Sequence, residues 1–215
     1  MLNDREITII GFGSLLSEES ARRTCPSLKN FRCGQVQNYV RSFNKVDPNS
    51  SRFDHQNIAN WAFVDKPGFH TLVTLFEIAN EDYPAFAKRE GEYDLKYLEY
   101  KDENDVENEG IACCAFDTNQ EFMHFLETAP IQKEHYYATT YLTYQGPIWR
   151  KDILPRPKYL AFCLEAAKKL GDHYLENMLE HSFLSDEVTP IKYYLQKSHS
   201  DLEHIKDIEW LKNHL

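Results

Sequence analysis

Two short segments of this chain combine residue types whose spacing could support chemistry. The first is the loop of residues 11–14, Gly-Phe-Gly-Ser, which follows the apolar, β-branched run 7–10. A two-glycine turn after a strand presents backbone N–H groups that can hold a carboxylate, a phosphate or a carbonyl oxygen. The second contains Glu90 and Glu92 on either side of Gly91, where a predicted helix gives way to a predicted strand. A carboxylate at such a junction can point inward, and burial would raise its pKa toward the range useful for proton transfer.

Other familiar catalytic and binding motifs are missing from the sequence. Gly11 and Gly13 form half of a dinucleotide-binding fingerprint, but Leu16 stands at the third glycine position. No Gly-Lys-Ser or Gly-Lys-Thr triplet is present, which excludes a P-loop. The nine histidines form no HExxH motif and no zinc-type pairing with cysteine, so no metal site is predicted. A tight turn that binds no ligand is the alternative interpretation of the loop.

The five cysteines indicate a reducing environment. They are odd in number and include no CxxC pair, which is typical of an intracellular protein with mostly buried thiols. Cys113 and Cys114 are adjacent in a predicted strand, where one of the two side chains should face the core. A reactive thiol at either position, serving an amidohydrolase, is one alternative function.

The composition indicates an acidic globular protein. The 215 residues are 42% hydrophobic and 13% aromatic, and they suit one compact domain with an appendage or two small domains. The formal charge is −10 and the Lys and Arg residues are scattered, which argues against a nucleic-acid partner. The charged N-terminal residues do not resemble a signal peptide, and no window approaches the ~18 apolar residues of a membrane span. We therefore expect a cytoplasmic protein with no membrane partner.

The predicted strands lie mainly in the first half of the chain and the helices in the second, which favours an α+β fold over a repeating βαβ sheet. Hydrophobic patterns predict strands at 7–10, 33–46, 58–64, 71–78, 92–101 and 110–116. They predict helices at 17–23, at 80–89 with Asn80 as its cap, after the capping box of Thr118 and Glu121, at 159–170, and after a second capping box, Ser200 and Glu203. Pro130 should end the third helix. The many turn-forming residues at 47–57 predict a surface loop, and the secondary structure of residues 131–158 cannot be assigned from the sequence.

Four motifs together resemble the γ-glutamylcyclotransferase superfamily, including its ChaC-type and AIG-type branches. Residues 12–16, Phe-Gly-Ser-Leu-Leu, are similar to the family's Tyr-Gly-Ser-Asn/Leu-Leu loop, and residues 40–43, Val-Arg-Ser-Phe, to its Tyr-Arg-Arg-x-Phe strand. Residues 89–93, Arg-Glu-Gly-Glu-Tyr, resemble the segment with the family's catalytic glutamate. Residues 155–159, Pro-Arg-Pro-Lys-Tyr, are similar to its Pro-x-Pro-x-Tyr helix start. The matches follow the family's order.

The resemblance implies a fold and a division of the chain. The family fold is a small mixed β-barrel flanked by helices, which agrees with the α+β prediction. The family domain would span residues 1–171, and residues 172–215 would form a helical C-terminal extension packed on the same domain. The loop departs from the family pattern at Phe12, which replaces the usual tyrosine, and at Leu15, where some members have asparagine.

The resemblance also implies a reaction. A γ-glutamyl amide would cyclise to 5-oxoproline and release an amine or amino acid, with the substrate's own α-amino group as nucleophile. Glu90 would act as general base and then as general acid. Glu92 is the reserve candidate, because a strand period of two places it on the same face. Arg41 would face solvent, or would pair with Glu90 or a substrate carboxylate. No metal and no organic cofactor is implied.

The substrate-binding residues implied by the resemblance lie in the loop and at the helix start. Backbone N–H groups of the loop would bind the substrate carboxylate and the developing oxyanion. The residues concerned are Phe12, Gly13, Ser14, Leu15, Leu16 and Ser17. Tyr159 would reach the substrate through its hydroxyl or its ring. Tyr159 also lies on the predicted apolar stripe of its helix, so a structural role is the alternative. The other members of that stripe are Phe162, Cys163, Ala166, Ala167 and Leu170.

The implied partner is a small molecule with a γ-glutamyl group. Free γ-glutamyl amino acids, glutathione, γ-glutamylamines and ε-(γ-glutamyl)lysine share that half, and the sequence predicts neither which one is the substrate nor the oligomeric state. The alternative function is a non-catalytic binding module of the same fold that recognises a γ-glutamyl or acidic small ligand.

Overall fold

The computed structural model describes residues 6–49, 56–197 and 215, and its centre is a closed barrel of five strands. The strands follow the order β3-β1-β5-β4-β2, and β2 pairs with β3 to close the barrel. Neighbouring strands are antiparallel except for β1 and β5, which are parallel. The bounds are β1 Ile7–Gly11, β2 Lys29–Val46, β3 Asn57–Ile78, β4 Asp94–Asp102 and β5 Glu107–Cys114. The predicted α+β fold with a small mixed barrel is confirmed.

The two longest strands are longer than the sequence predicted. Strand β3 runs without interruption where separate strands at 58–64 and 71–78 were expected. The register of β2 against β3 shifts between Gln37 and Tyr39, and Gly68 donates its N–H to the Asn38 side chain at 3.1 Å. Asn38 and Gly68 both have positive φ, 62° and 84° respectively. Asn38 and Gly68, which are typical turn residues, therefore lie in a β-bulge, and a bulge bends a strand without ending it.

Helices and two short strands surround the barrel. The helices are α1 Glu18–Thr24, α2 Tyr83–Arg89, α3 Asn119–Thr128, α4 Pro130–Ala138, α5 Thr140–Thr143, α6 Pro157–Leu170, α7 Asp172–Glu180 and α8 Ile191–Lys197. Strand β6, Leu154–Pro155, pairs with β3, and β7, Ser182–Phe183, pairs with β2. None of the described helices is long and apolar enough to cross a membrane.

The predicted helix boundaries are partly right. Thr118 caps α3, since its hydroxyl accepts a hydrogen bond from Glu121 N–H at 3.1 Å. The prediction of Asn80 as the cap of α2 is wrong, because Asp82 occupies that position. Pro130 follows the end of α3 and also begins α4, where its missing N–H leaves no helical hydrogen bond unmade. The helix predicted from Ser200 lies outside the described residues.

The core joins the barrel to α6 and α7. Leu164 and Ala167 of α6 and Leu175 and Met178 of α7 are buried in one cluster with strand residues such as Phe76. The apolar stripe predicted for α6 included Phe162. That assignment is wrong, because Phe162 is 39% exposed while Leu160 and Leu164 face the core.

Candidate active site

A cavity of about 410 Å³ brings together residues from both segments that the sequence singled out. Its lining includes Ser14 from the loop after β1, Glu90 and Glu92 from the α2–β4 junction, and Tyr159 from the start of α6. Helices α4 and α5 contribute a further wall. A larger cleft of about 740 Å³ runs along β2, β4 and β5, but it contains none of the predicted site residues.

The loop after β1 is held on its core side by two polar side chains. Arg41 Nε donates to the Phe12 carbonyl at 2.7 Å, and the Thr74 hydroxyl donates to the Leu15 carbonyl at 2.8 Å. Because these carbonyl oxygens are engaged from within the barrel, the loop conformation does not depend on a ligand. Ser14 is the loop residue that lines the cavity.

Tyr159 lines the cavity and lies against Gly13, which is not part of the cavity lining. The Ser14 N–H hydrogen-bonds to the Tyr159 hydroxyl, but burial outweighs this bond and raises the pKa of Tyr159 well above its usual value. The tyrosine is therefore neutral and can donate a hydrogen bond. A Cβ on Gly13 would lie 2.7 Å from that hydroxyl and 3.1 Å from the Trp61 ring, so only glycine fits without displacement.

Glu90 is held in a largely buried position where α2 ends. Its N–H donates to the Phe86 carbonyl and its own carbonyl accepts from Tyr93 N–H, both at 2.9 Å, which turns the chain toward β4. Its side chain is 16% exposed. Burial raises the pKa of Glu90, the Glu92 carboxylate adds to the rise, and Arg89 and Lys45 oppose it. A carboxyl group with a raised pKa suits proton transfer near neutral pH.

Glu92 lines the same cavity, but its surroundings favour the ionised carboxylate. Its Oε2 lies 2.5 Å from the ammonium of Lys45, a side chain that is 6% exposed, and its Oε1 accepts a hydrogen bond from the Thr140 hydroxyl. Burial alone would raise the pKa of Glu92, but Lys45 and Thr140 together lower it. The two carboxyl groups thus differ in charge preference, a pattern by which acid and base roles are separated in other sites.

Several predicted substrate-binding residues lie outside the cavity lining. Phe12 stacks on Phe63 with ring centroids 3.9 Å apart, and Leu16 is buried in the core. Leu15 packs against the same core. Ser17 caps α1 by accepting a hydrogen bond from Ser20 N–H at 3.3 Å.

Only part of the predicted row of loop N–H groups is free to meet a ligand. The N–H groups of Leu16 and Ser17 donate within the turn, to the carbonyls of Gly13 and Ser14. These bonds form because residues 14–16 close a short 3-10 helix, which the sequence did not indicate.

None of the three positions predicted for Arg41 is found, since it is not in solvent, not paired with Glu90 and not in the cavity lining. The side chain is fully buried and donates to the carbonyls of Phe12 and Leu72 and, at 3.3 Å, to Asn177 Oδ1. It neither faces solvent nor pairs with Glu90, because α7 covers this side of the barrel and supplies Asn177. Burial lowers the pKa of Arg41 to about 10.

Sequence reasoning missed several polar residues of the cavity. Lys45 and Asn60 reach it from β2 and β3, Thr140 from α5, and Arg156 forms an ion pair with Asp47 beside it. Asn60 Oδ1 is buried and has no hydrogen-bond partner among the described residues. For Asn60 the available signal was its position inside the otherwise apolar segment 58–64, whereas Lys45 stands among other polar residues and gave no such signal.

The thiol and metal alternatives find little support. Burial raises the pKa of Cys113 well above its usual value and that of Cys114 to about 12, so both are held as neutral thiols. Neither cysteine lines the cavity. Within the described ranges, no three His, Cys, Asp or Glu side chains are grouped as metal ligands.

No protein-family model and no curated protein sequence matches this chain. Solved structures do match it. A structure named gamma-glutamyl cyclotransferase aligns with a TM-score of 0.56 and 14% identity, covering 94% of this chain and 99% of that one. An uncharacterized protein from Homo sapiens aligns with a TM-score of 0.55 and 13% identity, with the same coverage of each chain. At such identities the likeness concerns the fold.

Proposed function

Because the chain has the fold of γ-glutamyl cyclotransferases, we propose that it converts a γ-glutamyl amide to 5-oxoproline and releases an amine or amino acid. The observation that carries the proposal is the largely buried Glu90, whose raised pKa suits proton transfer and which shares a cavity with Ser14 and Tyr159. A carboxyl group in that state can both take up and return a proton at neutral pH.

The proposed reaction is an intramolecular acyl transfer. The substrate's α-amino nitrogen forms a bond to its γ-carbonyl carbon, and Glu90 takes the proton that this nitrogen loses. The tetrahedral intermediate then collapses, the bond to the leaving nitrogen breaks, and Glu90 returns its proton to that nitrogen. Because nucleophile and electrophile belong to one molecule, the protein mainly has to hold the glutamyl chain in a reactive conformer. One carbon–nitrogen bond forms, another breaks, and the remaining steps are proton transfers, so the proposed reaction needs no cofactor.

A second polar group of the cavity has a complementary role in this proposal. The Tyr159 hydroxyl, which accepts from Ser14 N–H and donates to the Cys163 thiol, turns its proton from that thiol toward the developing oxyanion.

The test is 5-oxoproline release by the parent and by the Glu90→Gln variant. Substrates should include γ-glutamyl dipeptides, glutathione, a γ-glutamylamine and ε-(γ-glutamyl)lysine. Loss of the base should lower kcat by ~10²–10⁴-fold. Glu99→Gln, on an exposed part of β4, is the matched control and should leave turnover unchanged. A folded Glu90→Gln protein that keeps full turnover would rule out the proposed base.

A binding module on the same fold is the second candidate. The observation that favours it is the ion pair between Arg89 Nε and Glu90 Oε1 at 3.4 Å, since Arg89 stabilises the ionised carboxylate and so makes it a weaker base. A module of this kind would show a raised Tm with γ-glutamyl ligands and no product from any of them.

A further inference from the structure

A buried ion pair in the cavity has no part in the steps proposed above. Lys45 and Glu92 have side chains only 6% and 14% exposed, and their charged atoms lie 2.5 Å apart. Replacing such a pair by uncharged groups is often neutral or stabilising, so its presence needs a reason other than stability. Its position beside Glu90 suggests one.

We propose that the Lys45–Glu92 pair sets the charge environment of Glu90, with Lys45 as a positioning residue that acts through the two carboxyl groups. The inference rests on the proposed function, because it explains how Glu90 is kept ready for proton transfer. Neither member of the pair need touch the substrate.

Three contacts with other residues fix the pair in place. The Lys45 ammonium also donates to the Val46 carbonyl at 3.3 Å and lies 5.0 Å from the centre of the Tyr93 ring. Both oxygens of Glu92 are engaged, one by Lys45 and the other by Thr140. Because Glu92 already has these partners, it is poorly suited to act as a base itself. The nearby charge is therefore fixed in position, unlike that of a surface ion pair.

The members of the pair act on Glu90 in opposite directions. Lys45 favours the ionised form of Glu90, and the Glu92 carboxylate disfavours it. Arg89 is the other charged group acting on Glu90, and its side chain is 53% exposed and open to screening by solvent.

Four further titratable groups that interact with Glu90 are neutral, and Asp47 and Arg156, which line the same cavity, form an ion pair with each other. Burial raises the pKa of each of the four, so none of them carries charge near neutral pH; they are Cys25 after α1, Tyr93, Cys113 on β5 and Tyr159 on α6. His135 on α4 faces Glu92 and favours its ionised form. The fixed charges that distinguish Glu90 are thus those of Lys45 and Glu92.

Single substitutions should therefore change the titration of Glu90 in opposite directions. In Glu92→Gln, Glu90 loses its anionic neighbour and keeps Lys45, so its pKa should fall. In Lys45→Met, Glu90 faces a carboxylate without the compensating cation, so its pKa should rise. Each shift should be about one pH unit, as expected for one close charge. In the double variant, the pKa of Glu90 should lie between its values in the two single variants.

The experiment measures the Glu90 carboxyl by ¹³C NMR titration of the full chain, with the signal assigned by its loss in Glu90→Gln. The acid limb of kcat/KM against pH is the second readout and should move with the NMR titration. Glu180→Gln removes the acid of an exposed ion pair with Lys192 and serves as the control. It should change neither the NMR titration of Glu90 nor the acid limb of kcat/KM.

The outcomes separate this inference from the proposed function. Shifts of the same sign in both single variants, or none in either, would overturn the role of the pair. If Lys45→Met fails to fold, the comparison uses Glu92→Gln and the double variant, which carries no unpaired charge. The pKa of Glu90 must then be lower in Glu92→Gln than in the parent and in the double variant. Opposite NMR shifts in a chain that forms no 5-oxoproline would support the pair while refuting the cyclotransferase activity.

Discussion

Glu90 and Glu92 show how residues two positions apart can acquire different chemistry. Both line one cavity, yet burial raises the pKa of Glu90 while Lys45 and Thr140 hold that of Glu92 below its usual value. The sequence placed both carboxyl groups together at one helix-to-strand junction. Only the family resemblance favoured Glu90 over Glu92; local residue patterns could not distinguish their charge states, because the partners of Glu92 come from β2 and α5, which are distant along the chain.

The raised pKa of Glu90 predicts a pH-dependent effect of Glu90→Gln on stability. An acidic group whose pKa is higher in the folded than in the unfolded protein destabilises the fold when it ionises. The loss of stability begins as the pH rises through the unfolded-state pKa and is complete above the folded-state pKa. Glu90→Gln should therefore be more stable than the parent at pH 8, and the difference should disappear at pH 4. Urea unfolding at both pH values measures it, with Glu99→Gln as control. A difference that is independent of pH would contradict the assignment.

Arg41 predicts a large structural effect at the residue scale. Arg41→Met would leave the buried carbonyls of Phe12 and Leu72 without their donor, which should cost about 3 kcal/mol in the free energy of unfolding. Arg23→Met, in an exposed pair with Glu19, is the matched control and should cost less than about 0.5 kcal/mol. Equal midpoints in urea for the two variants would disprove the structural role.

At the scale of elements, the loop after β1 and the start of α6 fit each other closely. Both were recognised in the sequence as separate motifs, and the structure joins them through the Ser14 N–H and the Tyr159 hydroxyl. The cap at Thr118 was predicted, because a capping box involves residues within one turn. The contact between loop and helix was not, because it depends on how the barrel and α6 pack.

This contact predicts a coupling between Gly13 and Tyr159. A Cβ on Gly13 would lie 2.7 Å from the Tyr159 hydroxyl, so Gly13→Ala should lower the free energy of unfolding by about 1–3 kcal/mol. In a Tyr159→Phe background the same change should cost less, because the clashing oxygen is gone. A double-mutant cycle by urea unfolding measures the difference. The same cost in both backgrounds would show that the close approach does not matter.

At the scale of the whole molecule, α7 is bound into the barrel rather than laid on its surface. The Tyr174 hydroxyl donates to the Val73 carbonyl at 2.9 Å, and Asn177 Oδ1 accepts from Leu72 N–H at 2.9 Å. Leu175 and Met178 are completely buried. The strand-rich first half therefore shares its core with residues beyond 171.

This shared core predicts a global effect of a change in α7. Leu175→Ala removes a completely buried side chain and should lower the free energy of unfolding by about 2–5 kcal/mol. Leu142→Ala, at a leucine on α5 that is 73% exposed, should change it by less than about 0.5 kcal/mol. Chemical denaturation followed by tryptophan fluorescence measures both. A small effect at Leu175 would mean that α7 unfolds independently of the barrel.

The sequence by itself determined the local features of this protein: the first strand and its glycine turn, the helix cap at Thr118, the α+β class and the junction that carries Glu90 and Glu92. These follow from hydrophobic period, capping and turn chemistry, which act between residues close in the chain. The tertiary structure decided which of these residues meet. Barrel closure and the packing of α6 and α7 bury Arg41 behind the loop, bring Lys45 to Glu92 and place Tyr159 beside Gly13. Such contacts depend on three-dimensional packing between distant segments, and burial then sets the charge of each group.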